Sequence, residues 1–115
     1  MKGMALILSA ILILGATSGV QARPENIEPG LSYYADDYET KNNVSEITIE
    51  KNFEEVFKNY EYFECVYNEN KRVKIFRAYK RGDVILAEYY TYGPDGKLKE
   101  KKTEKKGKPT ETITY

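Results

Sequence analysis

Glu64 and Glu88, Cys65, the acidic run Asp36-Asp37-Tyr38-Glu39 and the lysines between positions 97 and 108 are the reactive or ligating side chains of this chain. Two glutamates can divide acid and base work in glycoside cleavage, one as proton donor and the other ionised. A thiol can attack or ligate, grouped carboxylates can hold calcium, and grouped ammonium ions can bind an anion. The chain contains no histidine, which removes histidine-based triads, cysteine–histidine dyads and histidine metal sites. One cysteine builds neither an intrachain disulfide nor a cysteine metal centre, and its apolar neighbours in Tyr62-Phe63-Glu64-Cys65-Val66-Tyr67 suit a buried strand residue. The acidic run lacks the glycine-centred loop and distal glutamate of a calcium site, so it reads as a solvated stretch. The glycines are isolated turn residues and form no phosphate loop. The expectation is a nonenzymatic chain with no metal and no cofactor.

The folded part of the chain is expected to begin after an export signal. Lys2 gives a positive start, Met4 to Ala16 is an apolar run of 13 residues, and Val20-Gln21-Ala22 places small residues where a signal peptidase reads them. Residues 1–22 therefore read as a cleaved signal peptide. The run is shorter than the roughly 20 apolar residues of a spanning helix, so no transmembrane segment is expected in the mature chain. That chain, Arg23 to Tyr115, would be periplasmic or secreted, which makes nucleic acid a poor partner. Residues 23–45 read as a flexible, acidic, tyrosine-containing linker, with turn signals at Pro29-Gly30 and Asn42-Asn43. Residues 46–115 read as a single small domain.

Within that domain Asn52 can cap a helix with Glu55 three residues on, and Phe53, Val56, Phe57 and Tyr60 share one helical face. Four triplets follow, Asn68-Glu69-Asn70, Lys80-Arg81-Gly82, Pro94-Asp95-Gly96 and Lys105-Lys106-Gly107, between runs of β-branched and aromatic residues. Each fits a three-residue hairpin loop closed by a left-handed residue. The fold expected is α+β, one amphipathic helix packed on a four- to five-stranded antiparallel meander. Equal three-residue loops would place Glu64 opposite Lys74, Lys74 opposite Glu88 and Glu88 opposite Lys102, a charge ladder across four strands. The odd-numbered face, with Phe63, Cys65, Val73, Ile75, Ile85, Ala87 and Tyr89, would then lie under the helix. The even-numbered face would stay wet.

Two binding surfaces follow from this register. The wet face would present Tyr62, Phe76, Tyr90 and Tyr92, rigid aromatics suited to an envelope protein as partner. Alternatively, Lys97, Lys99, Lys101, Lys105, Lys106 and Lys108 of the last hairpin would bind an anionic polysaccharide or lipid surface. Charge is unevenly spread: 4 basic and 12 acidic residues lie between Arg23 and Glu69, against 13 basic and 6 acidic beyond. The halves should attract, which gives the lysines a structural use as well.

The stretch Tyr90-Thr91-Tyr92-Gly93-Pro94-Asp95-Gly96-Lys97-Leu98 resembles the tyrosine-aspartate hairpin repeats of Rhs-type secreted proteins, and its Asp-Gly-Lys-Leu rhythm is similar to membrane-occupation-type repeats. The likeness covers about 45 residues, and Gly93 stands where those repeats carry aspartate. A helix followed by a meander also resembles small PepSY-like periplasmic domains. These resemblances imply noncatalytic binding or packing modules.

Overall fold

Turn length, rather than strand composition, decides how this chain is assembled. In the computed structural model, which describes residues 23–115, Asn68 rather than Asn70 organises the first meander turn. Its side-chain Oδ1 accepts the N–H groups of Asn70 (2.9 Å) and Arg72 (3.0 Å). Lys71, at φ 63°, then takes the left-handed position, one residue later than the sequence suggests. The second turn has two residues, Arg81 and Gly82, both at positive φ, the form that matches strand twist. Gly96 is left-handed as expected, with φ 83°, and the Gly93 and Lys97 pair closes its three-residue loop.

These turns join strands β4 (Glu61–Tyr67), β5 (Val73–Lys80), β6 (Asp83–Tyr92), β7 (Leu98–Lys105) and β8 (Glu111–Thr114). Ahead of them lie β1 (Ser32–Ala35), β2 (Tyr38–Lys41), β3 (Val44–Ile47) and one helical turn, α1 (Phe53–Val56). The architecture is therefore nearly all sheet, which corrects the α+β expectation. A six-stranded antiparallel sheet runs β1-β4-β5-β6-β7-β8, and β2 and β3 form a separate two-stranded sheet. The helix fails for lack of length: Glu55 does accept the Asn52 N–H (3.0 Å), but a single turn gains few hydrogen bonds for the residues it fixes. Only Val56 of its apolar stripe is buried. No helix among the described residues is long and apolar enough to cross a membrane. The export signal and its cleavage site lie outside the described residues.

The segment read as a linker supplies three strands. β1 pairs with β4, sending Tyr33 and Ala35 inward and Tyr34 outward. Asn42 and Asn43, at φ 53° and 70°, make the tight turn between β2 and β3, a backbone region that asparagine tolerates better than most residues. This hairpin lies across one face of the large sheet. It is fastened there by the Ser45 N–H to Tyr90 Oη (2.9 Å) and the Ile47 N–H to Cys65 Sγ (3.4 Å).

The register differs from the expected one in every hairpin. Three of the four incoming strands carry one unpaired residue near their start, Lys74 in β5, Ile85 in β6 and Lys99 in β7, whereas β8 pairs without a bulge. A bulge of this kind moves every residue beyond it to the opposite face. Glu64 thus faces Arg77, not Lys74, and Glu88 lies between Phe76 and Thr103. The charge ladder does not form. The inner face, under β2 and β3, buries Phe76, Cys65, Tyr67, Val73 and Tyr90, with Phe63, Leu86, Tyr92 and Leu98 packed against them. Ile75, Ala87 and Tyr89 follow Val66 and Arg77 onto the outer face, so the expected core and the expected wet face are partly exchanged.

Candidate functional site

On the outer face the register sets five side chains from three strands beside one another. Tyr34 of β1 lies opposite Glu64 of β4, Glu64 opposite Arg77 of β5, and Tyr62 of β4 opposite Tyr79 of β5. Glu64 is only 4% exposed. Its carboxylate accepts hydrogen bonds from Ser32 Oγ, Arg77 Nη1 (2.9 Å) and Tyr79 Oη (2.6 Å). Burial alone would raise its pKa. The hydrogen bonds from Ser32, Tyr79 and Arg77, with the guanidinium charge, outweigh burial and hold it below the ordinary glutamate value. The group is an ionised structural anion. Burial, reinforced by its bond to Glu64, in turn pushes the Tyr79 phenol up.

Around this network the aromatic rings form a continuous ridge. Tyr62 and Tyr79 stack with centroids 4.6 Å apart and planes within 8°. Tyr34 leans on Phe53 at 5.0 Å, and Phe53 stacks on Phe57 at 5.4 Å. The base of the ridge is buried, Tyr62 being 4% exposed, whereas its crest is open, with Phe53, Phe57 and Tyr60 at 43%, 48% and 55%. Tyr60 lies beneath Lys80 (5.7 Å) and Arg81 (5.4 Å). The helical turn is therefore a mount for exposed rings: capping holds its first turn, Val56 plugs it into the domain, and its remaining apolar side chains stand in solvent. Rings so placed offer contact area at little entropic cost.

The residues singled out from the sequence separate on this frame. Tyr62 belongs to the ridge. Phe76, wholly buried, and Tyr90 are core residues, and Tyr92 packs against them with its hydroxyl on the Val73 carbonyl (2.7 Å). They face inward because the bulge at Lys74 reverses β5 relative to β4, and β6 pairs in phase with β5. Glu64 and Glu88 lie on opposite faces of the sheet, and Glu88 accepts the Tyr90 hydroxyl, so they form no carboxylate pair. Cys65 is fully buried, and burial pushes its thiol up to about 12, far from the ionised form that reacts at neutral pH. Asp36 bonds Lys51 (2.6 Å) and Asn59 (2.7 Å). Among the described residues, no three ligating side chains gather as for a metal.

The six lysines do not make one patch. Lys97 and Lys99 lie at one end of β7, Lys105, Lys106 and Lys108 at the other, and Lys106 pairs with Asp83 (3.3 Å). Lys101 reaches back to the Asn43 carbonyl (3.3 Å). Sequence reasoning missed Tyr34, Arg77 and Tyr79 as site members, since only the true register assembles them. It noted Phe53 and Phe57 but assigned them to the core. A helical stripe of four apolar residues in so short a segment was the available signal that some would remain open. No protein-family model, no curated protein and no solved structure matches this chain, so its function has to be read from this surface alone.

Proposed function

We propose that this chain is an exported, noncatalytic binding domain of the bacterial cell envelope that recognises a protein partner through the outer face of its sheet. The observation that carries the reading is the aromatic crest of Phe53 and Phe57, exposed to solvent yet continuous through Phe53 with the stacked pair of buried Tyr62 and half-buried Tyr79, with exposed Tyr60 under Lys80 and Arg81. Interfaces draw most of their affinity from such anchored rings, and neighbouring Arg77 and Lys80 supply a polar rim. The noncatalytic part of the proposal rests on chemistry. Glu64 is held ionised by three donors, Cys65 is an inert buried thiol, and burial raises the phenols of Tyr62 and Tyr79.

The test is a tagged pull-down from the native envelope with the double variant Phe53→Ser, Phe57→Ser beside the unaltered protein. Both positions are open enough for the variant to keep its fold, as circular dichroism would verify. Loss of a partner that the unaltered protein retains through washing is the expected outcome. Equal retention by both proteins would remove the crest from the interface.

A further inference from the structure

At the end of the sheet away from the helical turn, three turns distant in sequence converge on a groove of about 670 Å³. Arg23, Lys41, Lys71, Arg72 and Lys97 line it, against one carboxylate, Glu46. Glu46 is already engaged, bonded by Arg23 Nε (2.7 Å) and by the Tyr67 hydroxyl (2.8 Å). Among the described residues, Lys41, Lys71, Arg72 and Lys97 take part in no salt bridge. We infer that this groove binds a phosphate group.

Four cations brought together by folding without carboxylate partners repel one another, and a concave surface concentrates their field. An anion seated between them relieves the repulsion. Arg72 is the positioned member: its guanidinium lies over the Tyr92 ring at 5.8 Å and runs alongside Gly96. A Cβ at residue 96 would come within 2.8 Å of Arg72 Nη2, so the absent side chain leaves the guanidinium its place. A planar guanidinium with several ammonium groups suits a multiply charged, multi-oxygen acceptor better than a lone carboxylate. The site is separate from the aromatic ridge, and of the lysines in the last hairpin it uses Lys97, with Lys101 held close by on the Asn43 carbonyl.

Pyrophosphate titrated into the labelled protein, followed by amide shifts, tests this directly. Saturable shifts should centre on Asn42, Lys71, Arg72 and Lys97. Arg72→Gln and Lys41→Gln, on different turns, should each weaken binding roughly tenfold, the scale of one lost charge-assisted contact. Lys108→Gln, beyond the far end of β7, should leave binding unchanged. A second arm measures retention on vesicles of phosphatidylglycerol in phosphatidylcholine. Retention there without pyrophosphate binding, and with the same sensitivity to Arg72→Gln, places the phosphate on a lipid headgroup; pyrophosphate binding without retention places it on a soluble molecule. No saturable binding of either probe, or binding that Arg72→Gln and Lys41→Gln leave intact, overturns the site.

Discussion

Glu64 commits its carboxylate to Ser32, Arg77 and Tyr79, and the consequence is a pH dependence with a definite sign. Its folded-state pKa lies below the unfolded glutamate value of about 4.3, so its stabilisation is fully present above that value and is lost as pH falls through the folded pKa. Arg77→Ala removes the cation while the carboxylate stays buried. The expected cost at neutral pH is roughly 3 kcal/mol, near the low end for breaking a buried pair because the Arg77 side chain keeps 28% exposure. Without the Arg77 hydrogen bond and charge the Glu64 pKa rises from its value in the parent, so protonation should narrow the gap between variant and parent as pH falls into the acid range. Urea melts across that range check this, and a gap that stays constant with pH would separate Glu64 from the effect. In the sequence Glu64 was legible as a charge needing a cross-strand partner. The identity of that partner was not, because a turn two residues longer than expected and one bulge together put Arg77 where Lys74 was expected.

At the scale of elements, the turns carried most of the information and also most of the error. The meander itself follows from Gly82, Gly96 and Gly107, all left-handed, set between β-forming runs. Side-chain faces do not follow, because three bulges at Lys74, Ile85 and Lys99 each displace the register by one residue. Nothing in the local composition of those strands marks a bulge, since the extra residue is as compatible with strand as its neighbours. Lys71 offers the cleanest test of the turn geometry. A lysine at φ 63° sits in a region that costs an ordinary residue roughly 1–2 kcal/mol, more than the entropy glycine loses on being ordered. Lys71→Gly should therefore raise stability, by about 0.5 kcal/mol. Lys80→Gly, within β5, should lower it. Denaturant midpoints measured on the two variants decide the matter, and equal losses would place Lys71 outside the left-handed position.

Across the whole molecule, the covering layer was the least legible part. Residues 23–45 are polar, acidic and rich in turn signals, which describes a linker and equally most of a short hairpin, completed by Glu46 and Ile47, whose few inward residues such as Ser45 and Ile47 seal a tyrosine-rich core. That layer decides which face of the sheet is buried and which is free. With β2 and β3 on the inner face, Phe76 and Tyr90 become core, and the aromatic ridge of the outer face is built by Tyr34, Tyr79 and the exposed Phe53 and Phe57 over buried Tyr62. This outer ridge is where the proposed partner protein would sit. Site-specific photocrosslinking in the native envelope tests it most directly, with a photoreactive phenylalanine analogue placed in turn at Phe57, at Tyr60 and at Ile113 on the distant strand β8. A discrete protein adduct is expected from positions 57 and 60 and none from 113. Adducts from 113 alone, or no adduct from 57 and 60 while the protein remains folded and exported, would contradict it.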